Sequence, residues 1–392
     1  MSTALRPMSP RDPHEDGRVA SSLELFFDLV FVVAVSTAAS ELHHQLADGH
    51  VLDGVVSYLM VFFSIWWAWM NFTWFATAFD TDDWLYRVTT FVQMAGVLVL
   101  AAGIHPAFTD GDLRIVVIGY VVMRLAMVSQ WLRAARQSPA HARTARAYAV
   151  GITACQVLWG ASLLLDGTVA TVAVVVLIAC ETAVPAVAER FEVTPRHPHH
   201  ITERYNLFTL IVLGESLLAS SNAFYGALHG AADVTDLVLM ASLVLVATAA
   251  MWWIYFWPAH HRCVHDLRSS FRYGYGHFFV LAAAAAFSAG VEVEIGRLVA
   301  TAEGDHAVLH VMSAVEASFT VTVPIALFLL TTWWLAIRAQ APRSVNVALP
   351  LAAVVVLLDP LVPVPVVVVA VVLVAVVVLL VRHAPVPHST SG

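Results

Sequence analysis

The sequence predicts an all-α integral membrane protein of about twelve transmembrane helices, arranged as two parallel six-helix repeats. Three observations carry that reading. Hydrophobic residues make up 59% of the 392 and charged residues 12%, and the mean hydropathy of +0.77 is too apolar for a chain with a polar surface to clothe. The apolar residues fall into twelve runs, most of them long enough to cross a hydrocarbon core of about 30 Å, which takes roughly 20 helical residues. Two runs also open alike, on a glutamate: Glu24–Ser36 as ELFFDLVFVVAVS and Glu203–Ala219 as ERYNLFTLIVLGESLLA.

Residues 1–22 are polar and mixed in charge and read as a cytoplasmic tail. The first apolar run carries Glu24 and Asp28 and no small-residue cleavage signature follows it, so it is expected to be retained rather than removed as a signal peptide. The first repeat, residues 23–189, contains runs at Glu24–Leu42, Leu52–Phe75, Leu85–Ile104, Leu113–Leu132, Ala145–Leu165 and Val169–Ala188. A polar linker, residues 190–202, leads to the second repeat, residues 203–382. Its runs are Glu203–Phe224, Leu237–Trp257, Tyr273–Ile295, His310–Leu335, Val345–Leu358 and Val364–Val381, followed by a tail at 383–392. The eleventh run is short and contains Pro350. The twelfth is nearly pure Val, Leu and Ala, is entered through Pro360, Pro363 and Pro365, and reads as a lipid-facing helix.

The tryptophan pair Trp66–Trp67 in the second run recurs as Trp252–Trp253 in the eighth. Glu24 and Glu203 are 179 positions apart, Trp66 and Trp252 186, so the halves differ by seven residues in their first loops. Six helices per half is an even number, which makes the repeat parallel rather than inverted. Orientation follows from the basic residues, all 20 of which are arginine. With the N-terminus inside, Arg114 and Arg297 fall outside, Arg124 lies within a span, and the other 17 of the 20 are cytoplasmic. Both termini are then cytoplasmic and the chain is a multi-pass protein of the bacterial inner membrane, with membrane lipid as its surroundings.

Charges buried in such a bundle are costly, about 2.5–3.5 kcal/mol each on the mildest scale, so they face a partner or water. Counting 1.5 Å per residue, Glu215 lies about 18 Å beyond Glu203, near mid-membrane. Asp28 lies one turn past Glu24, while Arg124 and Glu181 come out about 13 Å and 12 Å from the cytoplasmic edge. His277 is a little shallower. The candidate ion or substrate site is therefore Glu24, Asp28, Arg124, Glu181, Glu203, Glu215, Ser216 and His277, with Arg124 as the shared counter-charge of Asp28 and Glu215 and Glu181 as its first alternative partner. This layer reads either as a fixed ion-pair network that sets helix packing or as a site for a proton or small cation, which its surplus of acids favours. Glu24 and Glu203 also suit helix N-termini, where a carboxylate complements the exposed amides.

Other chemistry finds little support. Net charge is −8 without a basic patch, so nucleic acid is not an expected partner. The runs HHRCVH at His260–His265 and RHPHHI at Arg196–Ile201 lack the paired spacing of a structural zinc site and read as solvated loops. Cys155, Cys180 and Cys263 imply no disulfide framework. The tryptophans of WWAWMNFTWF and MWWIYFW read as interfacial or lipid-facing anchors, with Trp69 and Asn71 able to face inward. No nucleophile motif, phosphate loop or dinucleotide fingerprint is present; neither enzyme activity nor a cofactor is expected.

The segments ELFFDLVF at Glu24–Phe31 and ERYNLFTLIVLGES at Glu203–Ser216 resemble the bacterial low temperature requirement A (LtrA) membrane family. The resemblance runs from Glu24 to about Trp334 and picks out Glu24, Phe26, Phe27 and Asp28, then Glu203, Arg204, Leu207, Phe208, Gly214, Glu215 and Ser216. Arg124 and the stretch from Tyr273 to His277 also look familial. Tyr205 and Asn206 stand where Phe-Gly is expected. The family implies a multi-pass membrane protein tied by name to growth in the cold. A weaker similarity, to two-repeat endosomal potassium channels with Phe-Ser-Asp in the first helix of each half, touches Phe26, Phe27 and Asp28, but the middle residue is Phe and the second half lacks the acid. The expected function is a proton- or cation-linked transporter or channel. The rival is an envelope or lipid-handling factor needed in the cold.

Overall fold

The computed structural model describes residues 5–228, 233–304, 312–361 and 367–383, and among these every regular element is helical. The long helices are α1 Ser22–Ala47, α2 Val51–Phe79, α3 Trp84–Ala102, a short α4 Ile104–Thr109, α5 Arg114–Gln137, α6 Ala142–Ser162 and α7 Gly167–Ala188. They continue with α8 Pro198–Ala227, α9 Val234–Phe256, α10 Leu267–Glu303, α11 Ala314–Thr332, α12 Arg343–Leu358 and α13 Val367–Arg382. Ten of the described helices are long and apolar enough to cross a membrane; α6 and the 16-residue α13 are not among them. The expected starts of the tenth and twelfth spans, His310 and Val364, lie outside the described residues, as do Pro363, Pro365 and most of the C-terminal tail.

Helix ends follow local chemistry. Ser21 and Glu24 form a reciprocal cap at the head of α1: the Glu24 amide donates to Ser21 Oγ and the Ser21 amide to Glu24 Oε2, which satisfies two of the first-turn donors. Asp266 with Ser269 does the same for α10 and Ser313 with Glu316 for α11. Pro185, Pro324 and Pro350 sit inside α7, α11 and α12 without ending them. Apolar side chains elsewhere face outward, among them Val150 and Val157 of α6, Val172 and Val175 of α7, and Val371 of α13. Outward faces of that kind suit lipid and would be a liability in water.

The chain divides into two compact units, residues 1–41 with 56–207 and residues 42–55 with 208–392. In the first, α3 packs on α5, α5 on α6 and α6 on α7. Gly96 and Gly119 let α3 and α5 approach so closely that a Cβ on either would overlap the other helix's backbone. The N-terminal segment is tied down rather than trailing. Met8 is fully buried, the Arg11 amide donates to Ala78 O, and the Arg18 guanidinium donates to Thr77 O and Ala76 O. These bonds engage carbonyls of the last turn of α2, of which Ala76 O also accepts the Asp80 amide, and Arg18 places positive charge at the helix's negative pole. In the second unit α10 packs on α11, α11 on α12, α12 on α13 and α13 on α9. Gly290 meets the Thr320 carbonyl at the crossing of α10 and α11.

The anchor reading fails for Trp66 and Trp67, which are buried, as is Trp69, expected to be able to face inward; Trp252 and Trp253 are 42% and 43% exposed. The failure has a simple cause: α2 runs through the interior of its unit, where indoles fill volume and donate hydrogen bonds.

Candidate functional site

In the first unit, two pairs of charged residues face each other, each pair spaced one helical turn apart. Glu24 and Asp28 lie on α1, His200 and Arg204 on the first turns of α8, and all four are buried. Such i, i+4 pairs share a helix face. The Arg204 guanidinium is forked between the two acids, with NH1 donating to Glu24 Oε1 at 2.7 Å, NH2 to Asp28 Oδ1 at 2.5 Å and Nε to Asp28 Oδ2 at 3.3 Å. Trp69 Nε1 on α2 donates to Asp28 Oδ1 at 2.7 Å. His200 Nε2 lies 3.2 Å from Glu24 Oε1, and its Nδ1 lies 2.6 Å from Thr77 Oγ1. A carboxylate can only accept, so Nε2 carries the ring proton toward Glu24 and a neutral ring accepts at Nδ1 from the Thr77 hydroxyl. With His200 neutral the group holds two acids to one base.

A second buried pair lies in the same unit, on α5 and α7. Arg124 NH2 on α5 donates to Glu181 Oε2 on α7 at 3.0 Å, and both side chains are essentially inaccessible. Trp67 Nε1 donates to the same oxygen at 3.0 Å and Gln156 Nε2 to Oε1 at 2.8 Å. Glu181 is thereby charge-neutralised and saturated with donors, the arrangement a buried carboxylate requires.

The expected pairing of Arg124 with Asp28 and Glu215 is therefore overturned. Arg124 pairs with Glu181, and Asp28 with Arg204. Depth alone suggested the first partnership, but partners must also share a facing direction and adjacent helices. α5 packs on α6 and α6 on α7, which brings Glu181 to Arg124. Arg204 and His200 were missed because α8 begins at Pro198, five residues before the acid taken as its start. Arg204 therefore lies inside a helix and is not one of the loop arginines. Proline at the first helical position is the signal that could have shown it.

The remaining candidates make contacts of their own. Glu203 is half-buried and accepts the Ala20 amide at 3.2 Å. Glu215 is half-buried on α8 in the second unit, within electrostatic reach of Glu292 on α10, which itself lies 3.4 Å from His43 Nδ1. Ser216 Oγ donates to Ala284 O of α10. His277 accepts or shares a proton with the Tyr255 hydroxyl at 3.0 Å through Nε2, while its Nδ1 faces Tyr273 O at 2.7 Å.

Both histidine-rich runs depart from the solvated reading, and in RHPHHI His197 and His200 are buried. His260 and Cys263 of HHRCVH are buried; His260 lies 3.0 Å from the Tyr273 hydroxyl, and burial pushes its pKa down to about 4. In the α2–α3 turn, burial raises the Asp83 carboxyl, but Arg133 and the amides of Tyr86 and Arg6 outweigh it and hold it at about 2. Among the described residues no three His, Cys, Asp or Glu side chains gather as a metal site would require.

The model of the bacterial low temperature requirement A protein (LtrA) family matches residues 19–382. The chain belongs to the LtrA family. It is also 29% identical over 261 residues to the uncharacterized protein RA0937 of Rhizobium meliloti (strain 1021), covering 64% of this chain and 62% of that protein. The alignment thus spans less than two thirds of the relative's length. No solved structure matches this LtrA chain.

Proposed function

We propose that this LtrA protein is a proton- or cation-linked transporter or channel of the bacterial inner membrane, crossing it twelve times as two parallel six-helix halves. The observation that carries the reading is the buried Glu24–Asp28–Arg204–His200 group. Two carboxylates share one guanidinium, and one of them also meets a histidine. A proton or small cation arriving at either acid would neutralise it and leave Arg204 to the other, giving two arrangements of nearly equal composition that a ligand can choose between. A purely structural pair has no need of the second acid; Arg124–Glu181 manages with one.

The duplication draws support from packing inside each unit. The helices that would correspond, α3–α5–α6–α7 in the first and α10–α11–α12–α13 in the second, follow one another in the same neighbour order. In each the chain of contacts returns to the tryptophan-bearing helix, through Trp67 to Glu181 in the first and through α9 against α13 in the second.

The test is flux. Purified protein in liposomes should pass protons or a monovalent cation down a gradient, and Glu24→Gln and Asp28→Asn should each abolish that flux while the protein remains folded. Silence under every gradient, with lipid co-purifying or an envelope defect on deletion, would favour the lipid-handling role instead.

A further inference from the structure

Beside the Arg124–Glu181 pair, and wholly within the first unit, a cavity of about 20 Å³ lies among α2, α5, α6 and α7. It reaches from Leu113, the half-exposed residue that precedes α5, to Tyr120, one turn before Arg124. Its walls are apolar save for three groups: the Tyr120 hydroxyl, the Trp159 indole and Ser64. Tyr120 is 2% and Trp159 5% exposed, and neither Tyr120 OH nor Trp159 Nε1 has a hydrogen-bond partner in the protein. Ser64 Oγ gives its proton to Met60 O and keeps lone pairs to accept with. One turn further in, Arg124 Nε and Gln156 Oε1 are likewise buried and unpartnered.

Buried polar atoms are rarely left without partners, because each costs about 1–3 kcal/mol. Here a donor-only indole, a hydroxyl that can give or take, and a hydroxyl with free lone pairs line one small space. Water needs roughly 10–15 Å³ and two to four polar neighbours, and both are met. A monoatomic anion would find the two donors, but Arg124 is already neutralised by Glu181 and Arg114, at the mouth, faces Asp112. Among the described residues the surrounding helices also carry Asp53 and Tyr58 on α2, Arg133 and Arg136 on α5, Arg143, Arg146, Tyr148 and Cys155 on α6, and Cys180 on α7. The arginines among them sit at the ends of α5 and α6 away from the cavity, and α2 lines it with Met60, Val61 and Ser64.

We propose that this cavity is a hydration site: ordered, exchanging water held by Tyr120, Trp159 and Ser64 that links the N-terminal end of α5 to the Arg124–Glu181 pair. Through it Glu181, otherwise sealed by Trp67, Arg124 and Gln156, exchanges with the aqueous phase. Tyr120 stands between the two, its ring 5.8 Å below the Arg124 guanidinium carbon and its hydroxyl close enough to interact with the Glu181 carboxylate without a well-formed hydrogen bond to it. The inference concerns water alone and does not require that the chain transport anything.

The experiment is X-ray hydroxyl-radical footprinting of the full chain in nanodiscs, in which radicals born from bound water label the side chains that hold it. Tyr120 and Trp159 should label at rates comparable to the half-exposed Trp84. Trp69 and Tyr205, equally buried but bonded to protein groups, should stay unlabelled. Val117→Phe, which fills the cavity, should abolish labelling of Tyr120 and Trp159 and leave Trp84 unchanged; Ser64→Leu fills it from the other wall should Val117→Phe fail to fold. Labelling of Tyr120 and Trp159 no greater than that of Trp69, or labelling that survives both plugs, overturns the proposal. Labelling that behaves as expected in a protein that shows no flux keeps the hydration site and removes the transport reading.

Discussion

At the scale of single residues, the described polar core of the first unit rests on which charge meets which. Removing one member of a buried pair typically costs about 3–5 kcal/mol, because the survivor is left charged and unpaired. Arg124→Leu should therefore lower the melting temperature in detergent sharply. Adding Glu181→Gln should recover most of the loss, since a neutral amide still accepts from Trp67 while no longer needing a cation. Arg124→Leu with Asp28→Asn should show no such recovery, the two losses simply adding. Thermal melts of the three variants decide the pairing: rescue by Asp28→Asn instead of Glu181→Gln would overturn it. For Arg204 the expectation is harsher, because its loss strands both Glu24 and Asp28. Part of this was legible in advance. The acids Glu24, Asp28 and Glu181 and the cation Arg124 stood out as charges inside apolar runs, and their depths follow from the rise per residue. Their partners did not, since a one-dimensional string carries no facing direction for a helix until its neighbours are known. Arg204 was hidden further by sitting at the edge of its apolar run, where an arginine reads as a topology signal rather than as a ligand.

At the scale of elements, each of the twelve apolar runs corresponds to a helix among the described residues, and errors concentrate at the ends. α8 begins five residues early, at Pro198, and α10 starts at Leu267 and runs to Glu303, well beyond the expected Tyr273–Ile295. Hydropathy marks what can lie in lipid, whereas caps such as Asp266 with Ser269 mark where the helix stops, and the two need not coincide. Close crossings were not legible at all, because a glycine in an apolar run looks the same whether it faces lipid or backbone. Gly290 and Gly214 separate the two cases. A Cβ at Gly290 would overlap the Thr320 carbonyl, and a Cβ at Gly214 would meet nothing. Gly290→Ala should force α10 and α11 apart and destabilise the fold by about 1–3 kcal/mol, the usual cost of overpacking. Gly214→Ala, in an open helical position, should be neutral or stabilising by about 0.4–1 kcal/mol. Denaturation of both variants in mild detergent checks this, and equal effects at the two sites would mean that the α10–α11 crossing is not as close as described.

For the molecule as a whole, arginine placement makes the strongest claim. On the expected orientation Arg204, buried inside α8, leaves the cytoplasmic tally, and 16 of the 20 remain there against Arg114 and Arg297 outside. The bias survives because it rests on clusters rather than on any one residue: Arg133, Arg136, Arg143 and Arg146 around the α5–α6 turn, Arg262, Arg268 and Arg272 around the α9–α10 turn, and Arg338 and Arg343 between α11 and α12. Several of these are also fixed in structure. Arg133 is paired with Asp83, and Arg18 caps the end of α2. Retention of positive charge in the cytoplasm depends on short connections, and these turns are short. Reporter fusions after Arg143, after Arg268 and after Arg343 should all report the cytoplasm, and fusions after Asp112 and after Gly304 the outside. If the fusion after Arg343 reported the outside while that after Arg143 did not, an odd number of crossings would separate them, and either α6 or one helix of the second unit would lie along the membrane rather than through it. The parallel repeat would then fail, because its two halves would enter from opposite sides.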